Sequence, residues 1–342
     1  MIWGTLCVIL AGVISGSGAW PMKPMRHYQF EHWWFVGMLS GLVIFPWLVT
    51  VVYCPHLAFA IKSIPVASLL KANAWAAGWG AATVLCGLCY VRVGMALTTA
   101  ILSGVGICLG VALPLAFKGS GVFQHAPSIF SPAGLILEAG ALVALVGVGL
   151  AGLAGHGRVR ARSQADVCSS GFLLPLFMAG LAGILSCGYT LSFIYGQEPI
   201  ISAVQAQGAS RVAAAFAVWA LALAGGVLVG VGYTACLLTR NRSWQVLWNH
   251  PKDFCLSLVI GLNMAVSIAL LGSGMLLMGA SGGSAGSGLQ QIAWMLGGQG
   301  VGYVSGEWQG VPKQPRYRML MAVAALFGAA VLLAFGSSFA PS

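Results

Sequence analysis

The chain has 342 residues, of which 59% are hydrophobic and only 6% charged, with a formal net charge of +10 and a mean hydropathy of +0.91. Soluble domains carry about 25% charged residues, so this composition excludes an ordinary soluble globular protein. Ten apolar runs follow one another at residues 2–20, 33–53, 68–90, 95–116, 132–154, 171–195, 211–238, 254–279, 288–305 and 318–338. Each approaches the roughly 20 residues that a helix needs to cross the hydrocarbon of a bilayer. The first resembles a signal peptide in its small residues Ser15-Gly16-Ser17-Gly18-Ala19. It lacks a basic leader segment and its apolar stretch is too long, so the sequence predicts a retained span.

Turn residues and charges punctuate the runs, at Pro21-Met22-Lys23-Pro24, Cys54-Pro55-His56, Lys118-Gly119-Ser120-Gly121 and Pro312-Lys313-Gln314-Pro315. The alternating ten-residue pattern of a membrane β-barrel does not occur, and only helices otherwise satisfy their own backbone groups in lipid. The expected fold is an all-α integral membrane protein with ten transmembrane helices. Many of the 48 glycines lie inside the runs, as in Gly225-Gly226 and Gly230-Val231-Gly232. Small residues there allow close helix approach.

The basic residues set an orientation. Twelve lie in odd-numbered connections: Lys23, Arg26, Arg92, Arg158, Arg160, Arg162, Arg240, Arg242, Lys252, Lys313, Arg316 and Arg318. Only Lys62, Lys71, Lys118 and Arg211 lie in even-numbered ones. Positive loops stay cytoplasmic, which places both termini outside. The net charge thereby reports topology and contact with anionic lipid rather than a nucleic-acid partner. The most polar stretch, residues 155–170, divides the chain into a first half at 1–154 and a second at 171–342. An odd number of spans per half predicts two inverted five-helix repeats, a common transporter plan.

Chemistry-bearing motifs are few. The six histidines lie in loops or at span ends, and Cys86 and Cys89 form a CxxC inside an apolar run with no second pair. HExxH and Walker motifs are absent. Catalysis, a metal cofactor and ATP-driven pumping therefore lose support. Glu138 is the single acid expected inside a span, about six residues into the fifth run, and an acid in lipid is a candidate proton carrier. The alternative is that the fifth helix begins later and leaves Glu138 among the headgroups. Glu31, before the second run with His27 and His32 nearby, is either a proton or substrate gate or a partner of Lys23 or Arg26. Polar and aromatic candidates for a substrate are Asn73 and Trp79 in the third run, with Trp75 and Trp79 on one helical face. In the second half they are Tyr189, Thr190, Asn263, Gln290, Gln291 and Gln299.

Read in order, the chain resembles the L-rhamnose–proton symporter family, within the drug/metabolite transporter superfamily. The residues that carry the resemblance begin with Pro21-Met22-Lys23, Phe30-Glu31-His32-Trp33-Trp34 and Phe45-Pro46-Trp47. They continue with Trp79-Gly80, Gly87-Leu88, Gly94-Met95, Gly104, Gly110 and Pro114, then Gly183-Ile184-Leu185-Ser186. The last is Gly302 followed by Ser305-Gly306-Glu307-Trp308-Gln309-Gly310. The resemblance implies proton-coupled uptake of a rhamnose-like deoxysugar across the bacterial cytoplasmic membrane, with the proton as the coupling ion and no cofactor. For such a function the candidate substrate residues of this chain are Trp79, Asn73, Thr83, Asn263, Gln290, Gln291 and Gln299, and the candidate proton residues are Glu138 and Glu31. Lys23, Glu307 and Trp308 are expected to act in structure or gating. The chain departs from the family pattern at Thr83, Leu85 and Cys86, and again at Ala269, Gly272 and Leu276, where relatives carry polar or aromatic residues. Two further readings stay open at this point: an exporter of a metabolite or cation, and a membrane receptor or assembly factor without flux.

Overall fold

The computed structural model describes residues 2–18, 20–92, 95–116, 128–162, 173–279, 282–306 and 308–339. Among these every regular element is helical. In chain order they are α1 (Ile2–Ser17), α2 (Phe30–Met38), α3 (Phe45–Tyr53), α4 (Leu57–Ser63), α5 (Val66–Arg92), α6 (Met95–Ala116), α7 (Pro132–Arg162) and α8 (Leu173–Ser186). There follow α9 (Gly188–Ala206), α10 (Arg211–Ala222), α11 (Ala224–Arg240), α12 (Val246–Asn249), α13 (Pro251–Leu277), α14 (Ser287–Val304) and α15 (Lys313–Ser338). Among the described residues six helices, some built of joined segments, are long and apolar enough to cross a membrane, and the number reaches eight if each of two bent pairs is one span. The chain is a multi-pass membrane protein.

Local chemistry explains the irregular stretches. Leu39–Ile44 widens into a π-helical turn between α2 and α3. Pro46, the second residue of α3, has no N–H to continue an α-helical ladder, and π-turns absorb such interruptions. Thr50 Oγ1 then donates to Pro46 O at 2.7 Å. The sixth apolar run extends further than its hydropathy suggests. The helical span continues to Ala206, taking in Gln197, an exposed Glu198 and Pro199. With α13 beginning at Pro251, Asp253 also lies inside a helix. Glu31 likewise lies in the first turn of α2, at the start of the span Phe30–Tyr53, so Glu138 is not the only acid in a span: Glu31, Glu198 and Asp253 join it.

The described residues form two compact units. The first comprises Met1–Gly16, Ala82–Cys187 and Gly274–Ser342, and the second comprises Ser17–Ala81 and Gly188–Ser273. Each draws segments from both sides of the basic linker, of which residues 163–170 lie outside the described set.

Within the first unit, α7 and α15 pack antiparallel along a seam with a regular repeat. On α7 the buried positions Ala133, Leu137, Gly140, Ala144, Gly147, Ala151 and Ala154 step by alternating fours and threes. On α15 the same stepping runs through Pro315, Met319, Ala322, Leu326, Ala329, Leu333 and Gly336. This 3.5-residue period keeps one stripe facing its partner, as in a left-handed coiled coil. Glycines make the approach possible: a Cβ at Gly140 would stand 2.9 Å from Leu333 Cδ2, one at Gly147 2.9 Å from Leu326 Cγ, and one at Gly157 2.8 Å from Pro315 Cγ. In the same unit α6 lies antiparallel to α14, with Ser287 Oγ donating to Gly110 O at 3.0 Å. Gly106 faces Gln291 one turn away.

Candidate functional site

The second unit contains a broken membrane helix. α10 and α11 together pass as one apolar span but meet at Leu223 with a bend of 55°. A break of this kind frees backbone groups that lipid cannot satisfy, and neighbouring side chains take them up. Asn73 of α5 donates through Nδ2 to Leu221 O at 2.9 Å and to Leu69 O at 2.9 Å. Its Oδ1 accepts the Gly225 N–H at 2.8 Å. Ser192 of α9, fully buried, donates from Oγ to Ala222 O at 2.9 Å. Gly225 and Gly226 lie directly on α5, where a Cβ on either would run into the backbone oxygen of Asn73 or of Ala76.

Beside the break four rings form a ladder. Trp79 of α5 tilts against Tyr189 of α9 at 5.3 Å between centroids. Tyr189 stacks on Trp219 of α10 at 5.0 Å and 23°, and Trp219 on Phe193 at 4.7 Å and 26°. Trp219 and Phe193 are buried, whereas Trp79 and Tyr189 are only half-buried and present the open end of the ladder. The indole N–H of Trp219 is buried with no hydrogen-bond partner among the described residues. It faces bare backbone at Gly272, where a Cβ would stand 2.6 Å from Nε1. The ladder requires a residue without a side chain at that position. The buried rings back the half-buried ones, so the open end of the ladder is a held apolar face.

The other sequence-derived candidates fall as follows. Asn263, in the second unit, donates from Nδ2 to Gly18 O at 3.2 Å and so ties the turn after α1 to α13. Thr83, Gln290, Gln291 and Gln299 belong to the first unit, all half-buried. There the open face of Gly106 looks onto Ser186 Oγ and Gln291 Nε2, at 3.5 and 3.6 Å from a Cβ placed on it. The seven substrate candidates thus divide into a group of three in one unit and four in the other. Glu138, seventh in α7, is half-buried and has no ion pair or hydrogen bond among the described residues. Glu31 is only 6% exposed, and its partner is neither Lys23 nor Arg26: Asn241 Nδ2 donates to its Oε1 at 2.9 Å. Trp308 stacks on Tyr303 at 5.3 Å, with the Arg158 guanidinium 5.3 Å over its ring. Lys23 is exposed, and Glu307 lies outside the described residues.

Sequence reasoning missed a polar knot at the second unit's loop end. The Asp253 carboxylate accepts the N–H groups of Arg26, His27 and Tyr28 at 3.3, 2.9 and 3.3 Å. His27 stacks flat on His250 at 3.7 Å. Tyr28 OH donates to Leu247 O at 2.7 Å. Burial, reinforced by the Asp253 charge, pushes its phenol up to about 12, which keeps it a donor through the physiological range. Among the described residues no group of three His, Cys, Asp or Glu side chains converges to hold a metal ion.

The chain is similar to the L-rhamnose-proton symporter of Klebsiella pneumoniae subsp. pneumoniae, with 26% identity over 239 residues that cover 69% of this chain and 66% of that protein. The L-rhamnose-proton symporter of Cronobacter sakazakii matches to the same extent. That of Pectobacterium atrosepticum is 27% identical over 218 residues, 62% of this chain and 60% of the relative. The aligned stretch therefore spans just under two thirds of these relatives. The sequence pattern of the L-rhamnose-proton symport protein family, by contrast, matches residues 1–338. By that match the chain belongs to the L-rhamnose-proton symport protein family.

Proposed function

We propose that the chain is a secondary transporter that carries a rhamnose-like deoxysugar, or a related small polar metabolite, into the cell together with a proton. The observation that carries this reading is the broken helix α10–α11 with the half-open aromatic ladder beside it. Discontinuous helices mark substrate sites in transporters because their unpaired backbone groups and flanking side chains meet near the midplane. Family membership over residues 1–338 supplies the substrate class. In this reading Trp79 and Tyr189 offer the stacking face. Asn73 holds the backbone beside that face, and Asn263, Thr83, Gln290, Gln291 and Gln299 are the further donors and acceptors that the reading assigns to substrate. Glu138, with no described partner to fix its charge, carries the proton, and Glu31 serves the gate. The proton is the coupling ion, and no cofactor is needed.

The reading includes ten spans in two inverted halves of the drug/metabolite transporter type, in the bacterial cytoplasmic membrane, with both termini outside. An inverted repeat relates equivalent helices by an axis in the membrane plane, so equivalent helices that meet across the axis run antiparallel. The fifth and tenth expected spans correspond to α7 and α15, and the fourth and ninth to α6 and α14. Both pairs are antiparallel within their unit, which supports the inverted plan. The twelve-to-four distribution of basic residues supports the orientation.

Uptake of labelled L-rhamnose into proteoliposomes, with and without an inward proton gradient, tests the function. Gradient-dependent accumulation is expected, abolished by Glu138→Gln at unchanged protein level. Net movement outward against the gradient would instead establish an exporter and overturn the uptake reading.

A further inference from the structure

In a continuous α-helix the N–H of one residue bonds the carbonyl four residues earlier. Gly225 N–H and Leu221 O are such a pair, yet they do not bond each other. The Asn73 side chain stands between them, its Nδ2 on Leu221 O and its Oδ1 on Gly225 N–H. A primary amide carries a donor and an acceptor, as a peptide group does, and only one of its two orientations matches this site. The next rung is broken as well: Ala222 O accepts from Ser192, while Gly226 N–H turns back to Leu223 O at 3.0 Å. No proline lies between Arg211 and Arg240, so the covalent chain does not force the break. Insertion of a side chain into the ladder is a sufficient cause.

We propose that Asn73 is the positioning residue of a two-state hinge in the α10–α11 span. With its amide inserted, the span is bent at Leu223. With the amide withdrawn, Gly225 N–H and Leu221 O pair directly and the span straightens. The two states differ little in hydrogen bonding, because withdrawal restores the helical pair and leaves Asn73 its bond to Leu69 O. A small difference is what a switch needs, since a ligand moves an equilibrium only by its differential affinity for the two states. The hinge is coupled to the aromatic face: Trp219 lies one turn before Leu223 and stacks on Tyr189. Straightening therefore displaces the ring that backs the open end of the ladder. The use of this hinge to admit and release substrate rests on the transporter reading; the hinge itself does not.

Val212 and Leu228 are both exposed, on either side of the bend. Spin labels on cysteines at these two positions, in full-length protein in lipid nanodiscs with the nine native cysteines replaced, report the angle without any substrate. A predominant short distance with a minor longer one is expected for the protein with Asn73 intact. Asn73→Leu removes both ends of the wedge at similar volume. It should shift the ratio of bent to straight about thirtyfold, as a longer second distance, because the bent state loses its bonds to Leu221 O and from Gly225 N–H while the straight state uses neither. Rhamnose transport in the same variant should lose turnover. Ser192→Ala should shift the distances the same way to a smaller extent, and Ser192→Thr, which keeps the hydroxyl, should restore them. An unchanged proportion of short to long distances in Asn73→Leu overturns the hinge. If Asn73→Leu does not insert stably, identical distances in Ser192→Ala and the unsubstituted protein overturn it instead. Failure of the unsubstituted protein to transport rhamnose would sink the transporter reading and leave the distances to decide the hinge.

Discussion

The α7–α15 pair and the α10–α11 break solve the same problem, helix contact in lipid, by opposite means. Along α7–α15 the contact is made by shape. Alanine and glycine stripes repeat every three or four residues, and Gly140 and Gly147 receive Leu333 and Leu326 with no room for a methyl group. At the break the contact is made by hydrogen bonds from Asn73 and Ser192 to backbone groups. A seam of interlocked side chains has one good register, because any slip opens voids that forfeit dispersion energy. A side-chain amide in a helical ladder has a ready alternative, because the groups it separates can bond each other. The first arrangement suits a fixed frame and the second a moving part.

The sharpest attack on this contrast is at the buried ring nearest the break. Trp219→Ala should cost about 3–5 kcal/mol, the usual loss for deleting a buried Trp, and should also release Tyr189 and Trp79 from their stack. Thermal unfolding in detergent reads the stability. If Trp219→Ala unfolds as the unsubstituted protein does, the ladder is not a packed unit. Next in size is Gly147→Leu on the seam, with an expected loss of about 1–3 kcal/mol from overpacking. The added carbon chain meets Leu326 and the backbone carbonyl of Ala322. Rhamnose uptake per folded molecule should fall less in this variant than in Asn73→Leu, and equal loss would erase the distinction between frame and moving part.

The smallest effect has the opposite sign. Gly149 lies two residues from Gly147 on the same helix, but nothing stands within 4 Å of a Cβ built there. Gly149→Ala should therefore stabilise the protein by up to about 1 kcal/mol through helix propensity alone. A loss there comparable to that at Gly147 would mean that the glycines of α7 act through backbone flexibility rather than through close approach.

Much of the helical layout can be read from hydropathy. The fourth run, at 95–116, coincides with α6, and the fifth begins at Pro132 as α7 does. The misreadings come from polar residues that a helix tolerates. Gln197, Glu198 and Pro199 look like a loop signal, yet α9 continues through them because a proline costs one hydrogen bond and need not end a helix whose flanking turns are packed. The break at Leu223 is hidden for the converse reason. Its cause is a side chain 148 residues away, and the local text, Leu-Ala-Gly-Gly, suits either close packing or a kink. Gly225 and Gly226 do pack closely, whereas Gly232 faces open space. Trp79 could be singled out as a deep aromatic, but Trp219 could not, because only the fold shows that it bridges Tyr189 and Phe193. Asp253 was invisible as a site because its role is played entirely with backbone N–H groups of a distant loop.

That last contact has a consequence for the order of events during synthesis. Asp253 is separated from Tyr28 by 225 positions, and the chain grows at about 5–20 residues per second. The carboxylate therefore emerges from the ribosome on the order of 10–50 s after the loop that it must fasten. Throughout that interval the segment between α1 and α2 has no anchor at α13, although its flanking helices are already made. Nascent chains arrested before residue 253 should hold this loop open to proteases, and chains arrested well beyond it should protect it, so that the knot dates the completion of the second unit.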